Sequence, residues 1–137
     1  MAQKVFVFGT LKRGFPLHEQ GLSGVTFLGR YRTRTRYPLL IAGPWFAPMM
    51  LNEPGTGCQI VGELYEVDDK TIGDLDRLES VGELGNFRLS IEVEPAEGGS
   101  PCLALAYMKA RELAHPIHSG HLQVYEDRRF IPFDQRD

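Results

Sequence analysis

Val5-Phe6-Val7-Phe8, after Lys4, is an unbroken aromatic and β-branched run that stops at Gly9, the signature of a buried strand followed by a loop. Gly14 and Pro16 break the next segment, and residues 17–22 fit a short helix before Gly24. Residues 25–28 and 30–37 read as two strands, the second ended by Pro38. The apolar run Leu39-Leu40-Ile41-Ala42 turns at Gly43-Pro44, and residues 46–51 form another extended segment. Residues 59–67 alternate apolar and polar positions, as a half-buried strand does. Behind Asp68 or Asp69 as cap, Ile72, Leu75 and Leu78 recur at helical spacing, and Gly82 lies just past the expected end. Glu79 then falls in the last turn. Residues 87–94 and 102–108 predict a hairpin across a turn-rich connection. The tail from 109 to 137 mixes short helical and extended signals, and the bulky apolar positions in Phe130-Ile131-Pro132-Phe133 predict that it packs back onto the sheet.

Many short strands, one convincing helix and no internal repeat or linker predict an α+β fold. Its expected form is a small mixed, largely antiparallel β-barrel with one main helix and short attached helices. A length of 137 residues suits a single domain spanning 1–137, and 42% hydrophobic with 24% charged residues is ordinary globular composition.

Charge narrows the partners. The 15 basic and 18 acidic residues are interleaved, which leaves no strong field for nucleic acid or an anionic membrane. The basic cluster Arg30, Arg32, Arg34 and Arg36 has the period of one strand face, with no aromatic platform for bases on that face, so it reads as a solvated surface. Cys58 and Cys102 form neither a CxxC pair nor a disulfide scaffold and read as reduced thiols. Residues 1–8 do not resemble a secretory leader, and no apolar run is long enough to span a bilayer. The expectation is a cytoplasmic monomer or weak dimer that meets neither membrane nor nucleic acid.

Among candidate chemical groups, Phe8-Gly9-Thr10-Leu11 joins a buried strand to a glycine that lets a ligand approach the main chain, where successive N–H groups can cradle an anion. A plain strand-to-loop turn explains the same residues. Glu79 sits at the edge of the helix's apolar stripe, with Asp76 and Arg77 further round the surface. The negative end of the helix dipole and partial burial both raise a carboxyl pKa, which suits a general base, although a surface glutamate ending a helix gives the same pattern. His115, His118 and His121 repeat every third residue, but Pro116 and Gly120 break any regular geometry, so no metal site is expected. No GxSxG pattern supports a serine nucleophile, and Glu63 in the 59–67 strand is the rival carboxylate.

Taken together, residues 5–14, residues 37–43, Val61-Gly62-Glu63-Leu64-Tyr65 and Leu75-Asp76-Arg77-Leu78-Glu79-Ser80 resemble the γ-glutamylcyclotransferase family, most closely its γ-glutamylamine cyclotransferase, AIG2-like branch. The resemblance implies cyclisation of a γ-glutamyl group onto its own amine, releasing 5-oxoproline and a free amine, for example from γ-glutamyl-ε-lysine. It implies Glu79 as general acid and base, no cofactor and no metal. It also implies a γ-glutamyl small molecule held by Phe8, Gly9, Thr10 and Leu11, with Leu40 and Ile41 on the opposite wall and Phe87 and Tyr107 nearby. Phe8 and Phe87 stand where the family commonly has tyrosine, and each loses one hydroxyl. Two alternatives accompany this reading: cyclisation of γ-glutamyl amino acids or peptides, and a non-catalytic binder of a small metabolite. The tail is expected to flank the pocket mouth and shape the amine site.

Overall fold

The computed structural model describes residues 2–136. Five strands close the expected α+β barrel, in the order β1 (Gln3–Val7), β5 (Val61–Val67), β2 (Thr26–Thr33), β6 (Asn86–Pro95) and β7 (Cys102–Lys109). All neighbours are antiparallel except β7, which closes the ring parallel to β1. The alternation within β1 explains the two cores. Phe6 and Phe8 join the cluster that contains Leu64, Ile91 and Val93, while Val5 and Val7 face a second cluster with Leu75, Ile72 and Leu22 from the helices. Each fully buried aliphatic or aromatic side chain contributes on the order of 1.5–3 kcal/mol.

Where two strands were expected over 25–37, the structure has one, with a bulge. Register shifts between Phe27 and Gly29, and Gly29 takes φ 137°, so the extra residue is absorbed without ending the strand. The strand stops at Thr33, which leaves Arg34 and Arg36 beyond it. Arg32 pairs with Glu94 at 2.6 Å and Arg34 with the same carboxylate at 3.3 Å, so β6 neutralises half of the basic cluster.

Strands β3 (Leu39–Ala42) and β4 (Ala47–Met50) form a separate hairpin. The chain after β7 seals the edge of β3: the N–H groups of His118 and Leu122 donate to the carbonyls of Ile41 and Leu39 at 2.8 and 2.9 Å. It then inserts Tyr125 fully into the barrel core. The tail thus packs back onto the sheet, as its apolar positions suggest. Its last part meets the hairpin turn, Ile131 N–H bonding the Trp45 carbonyl at 3.0 Å, with Phe133 84% exposed.

Two helices pack on the outside, α1 (His18–Leu22) and α2 (Asp69–Leu78). Asp68 caps α2, its carboxylate accepting from the Thr71 N–H at 2.8 Å. At the other end, Val81 N–H bonds the Asp76 carbonyl and Ser80 N–H the Arg77 carbonyl, the paired bonds of a Schellman ending. The helix therefore closes at Ser80, two positions before the glycine that the pattern marked, with Ser80 itself at φ 56°.

Candidate active site

The loop that leaves β1 is folded on its carbonyls. The Gly9 oxygen accepts from Lys12 N–H at 3.0 Å and the Thr10 oxygen from Leu17 N–H at 2.9 Å. By contrast, the N–H groups of Gly9, Thr10 and Leu11 donate to no acceptor among the described residues. Buried amides without partners are costly, so three successive donors in one turn are a place where a ligand's oxygen is stabilised. Gly9 is required there by contact: a Cβ would lie 2.5 Å from the Pro48 Cγ, so the hairpin can lie against the loop only if that residue has no side chain.

Two struts hold this loop. Lys12, itself buried, donates from Nζ to the Tyr125 carbonyl at 2.7 Å and lies 4.9 Å from the centre of the Phe15 ring. Burial holds its ammonium pKa below the ordinary lysine range, against the opposing charges of Glu63 and Glu126. Glu63 supplies the second strut, accepting from Arg13 N–H and from the Tyr65 hydroxyl, each at 2.9 Å. The rival carboxylate is thus bonded to the loop's far end and lines neither of the cavities described below.

Glu79 is the C-cap of α2, its N–H bonded to the Leu75 carbonyl at 2.9 Å. Its side chain reaches a small pocket of about 30 Å³ bounded by residues 6–11, Pro48 and Tyr107. No group among the described residues donates a hydrogen bond to its carboxylate. Burial pushes its pKa above the ordinary carboxylate value, with the Lys109 ammonium pulling the other way. Its place at the negative end of the helix dipole works in the same upward direction. Lys109 is tied by its own bond to the Asn86 side chain, 2.7 Å.

The small pocket opens beside a cleft of about 750 Å³, and Thr10, Pro48 and Glu79 line both. The cleft wall mixes apolar and charged groups, among them Leu17, Leu78, Phe130, Asp74, Arg77 and Asp134. Its outer side is the tail: the Arg136 guanidinium lies over the rings of Trp45, Phe130 and Phe133 at 4.9, 5.9 and 5.8 Å. A compact recess backed by main-chain amides leads into a wide and chemically mixed one. That geometry suits a substrate with one fixed end and one variable end.

Of the residues expected at the site, the structure brings together Phe8, Gly9, Thr10, Leu11, Tyr107 and Glu79. It does not bring Leu40, Ile41 or Phe87. Leu40 packs with Ala42, Leu51 and Ala114, Ile41 lies in the barrel core, and Phe87 is 37% exposed on β6. The opposite wall is instead the partner strand of the same hairpin, Pro48 standing across from Ile41 and Ala47 across from Ala42. An apolar run buried at every position is core, and only the weaker β4 pattern was free to face a cavity. Asp76, expected further round the surface, turns to the site's supporting layer: the Tyr107 hydroxyl donates to its Oδ1 at 2.9 Å, and Arg88 pairs with its Oδ2. Its spacing of three from Glu79 was the available signal. No three His, Cys, Asp or Glu side chains gather as a metal site among the described residues, and His118 stacks on Phe46 at 4.2 Å.

A closed mixed barrel in which the loop after the first strand and the carboxylate at a helix end share one recess is the class of architecture this chain presents. Comparison with known proteins identifies the family within that class. Residues 5–126 match the family described as gamma-glutamyl cyclotransferase, AIG2-like, and the chain belongs to it. The chain is 37% identical to gamma-glutamylaminecyclotransferase from Bos taurus, over 96% of this chain and 83% of that one. It is 42% identical to the Homo sapiens protein of the same name over 71% of this chain and 65% of that one. A crystal structure of an AIG2-like protein from Mus musculus superposes with TM-score 0.86 at 30% identity, covering 98% of this chain and 99% of the other.

Proposed function

We propose that this chain is a γ-glutamylamine cyclotransferase, an enzyme that closes a γ-glutamyl group into 5-oxoproline and frees the amine attached to it. Family membership and the similarity to proteins named for that activity support the reaction class. One observation carries the assignment of roles: a carboxylate with raised pKa and no hydrogen-bond donor shares a pocket with three unpartnered amides.

In this reading the glutamyl part enters the small pocket, where Glu79 takes a proton from its α-ammonium. The freed nitrogen attacks the γ-carbonyl carbon, and the developing oxyanion is received by the N–H groups of Gly9, Thr10 and Leu11. As the tetrahedral intermediate collapses, protonated Glu79 gives its proton to the leaving nitrogen and the bond from the γ-carbon to that nitrogen breaks; the ring nitrogen then passes its second proton through the Glu79 carboxylate to the freed amine, leaving the neutral lactam of 5-oxoproline and an ammonium. Nucleophile and electrophile belong to one molecule and form a five-membered ring, so holding the folded conformer supplies much of the rate. The wide cleft receives the departing amine, and its mixed wall suits an extended leaving group better than a single small amino acid.

The decisive experiment measures 5-oxoproline release from γ-glutamyl-ε-lysine and from γ-glutamyl-alanine, by wild type and by Glu79→Gln. Release from the first donor that is lost in the variant supports the assignment. Release from the alanine donor alone selects the amino-acid reading, and release from neither leaves a binding protein.

A further inference from the structure

Resting on that reading, we propose that Asp76 and Arg88 are positioning residues for Tyr107: they commit the tyrosine's only proton outward, so its oxygen faces the pocket as an acceptor for the substrate's α-ammonium. Three observations build this. Tyr107 is buried, lines the small pocket with Glu79, and donates its hydroxyl to Asp76 Oδ1 at 2.9 Å. Asp76 is itself held by Arg88, the residue directly opposite Tyr107 on the neighbouring strand β6. A phenol has one proton and two lone pairs, so once that proton is given away, every further bond the oxygen makes is one it accepts.

The consequence is chemical discrimination inside the pocket. A tyrosine free to donate would bond the Glu79 carboxylate, favour its charged form and weaken it as a base. With the proton held by Asp76, that competition is removed. The remaining lone pair favours the ammonium, placing nitrogen between Tyr107 and Glu79. The tyrosine is also kept protonated: burial first, then the bond to Asp76, raise its pKa, with the Arg88 charge lowering it and the Glu79 charge raising it. The other charged groups that line the wide cleft with Glu79 are Lys109 from β7, Asp74 and Arg77 from its own helix, and Asp134 and Arg136 from the tail; of these, Lys109 acts on its carboxyl.

The test is a pH–rate profile of kcat/KM for 5-oxoproline release from γ-glutamyl-ε-lysine. Removing both members of the ion pair together, Asp76→Ala with Arg88→Ala, leaves the net charge unchanged and frees the tyrosine's proton to turn toward Glu79. The acid limb should move to lower pH, by on the order of half a unit to one unit, and kcat/KM should fall about tenfold. Adding Tyr107→Phe should abolish the shift. Tyr107→Phe alone should lower kcat/KM about tenfold while leaving the acid limb in place, because the lost hydroxyl was an acceptor there. This single variant keeps the inference testable if the double variant does not fold, which a thermal melt reports. A limb that shifts equally without Tyr107, or that rises in Tyr107→Phe, overturns the inference while the cyclotransferase reading stands. A wild type that releases nothing from any donor overturns both.

Discussion

Glu63 and Glu79 are both half-buried carboxylates beside the same loop, and they differ in what surrounds the oxygen atoms. Glu63 projects from a barrel strand and accepts two hydrogen bonds, from a backbone N–H and from a phenol. Glu79 caps a helix at the negative end of its dipole and accepts none among the described residues. What marks the base is burial without a partner: desolvation raises the Glu79 pKa and no donor among the described residues offsets it, whereas the oxygen atoms of the strut are engaged by the loop and by Tyr65.

The comparison breaks most directly at Glu79. Glu79→Gln keeps the shape and removes the proton acceptor, and kcat should fall by roughly 10²–10⁴. Stability should move the other way with pH. Because the folded state raises the Glu79 pKa, it binds that proton more tightly than the unfolded chain does. The stabilisation is full below about 4.3, the ordinary glutamate value, and is lost as pH rises through the folded value. Chemical unfolding of both proteins across that range should show wild type losing stability relative to Glu79→Gln as pH increases. A flat difference would mean that the carboxyl is solvated, and one that grows in favour of wild type that a donor or cation stabilises its charge.

Gly9 tests whether the amides matter as much as the acid. In Gly9→Ala the new methyl meets the Pro48 ring, which is not the end of a flexible side chain, so the loop or the hairpin must move. Misplaced donors at an oxyanion site should cost about 10- to 100-fold in kcat/KM. Steady-state kinetics with an unchanged fold by circular dichroism checks this, and near-normal kinetics would remove the loop from the mechanism.

At Glu63 the expected effect is on stability. Glu63→Ala leaves Arg13 N–H and the Tyr65 hydroxyl without their acceptor, and should cost about 1–2 kcal/mol in urea unfolding while kcat/KM changes less than tenfold. A variant of normal stability but no activity would exchange the roles assigned to the two glutamates.

Much of this contrast is legible in the order of the residues alone. The first strand, its stop at Gly9, the helix carrying Glu79 and the last hairpin all follow from period and punctuation, because each is a local pattern whose burial the fold respects. Two kinds of feature are not. Cross-strand partners such as Arg88 and Tyr107 are set by register, which no local period specifies, so the support behind Tyr107 was hidden. The far wall is assigned to Leu40 and Ile41 by the family resemblance alone, which locates the hairpin but not which of its strands faces the loop. Full burial places them in the interior and leaves Pro48, one strand on, to meet the Gly9 loop.

The same limit explains the helix ending and yields the smallest of the expected effects. The pattern marks Gly82 as the stop, yet the chain turns at Ser80, which adopts φ 56° where glycine is the usual occupant. An l-residue in that region costs on the order of 1 kcal/mol, and the cost is borne one residue after the proposed base. Glu79 itself still bonds the Leu75 carbonyl through its N–H, and the strained angle follows immediately after it. Ser80→Gly should relieve the strain. The gain should be about 0.4–1 kcal/mol, reduced by the greater freedom of glycine in the unfolded chain. Because Ser80 also lines the wide cleft, kinetics decides what the serine is for. If it merely occupies a turn, the variant is more stable and equally active. If the fixed turn angle holds Glu79 in place, the stability gained is accompanied by a fall of a few-fold in kcat with KM unchanged. The second outcome sharpens the contrast with Glu63, whose position rests on hydrogen bonds to its own side chain and owes nothing to a strained backbone.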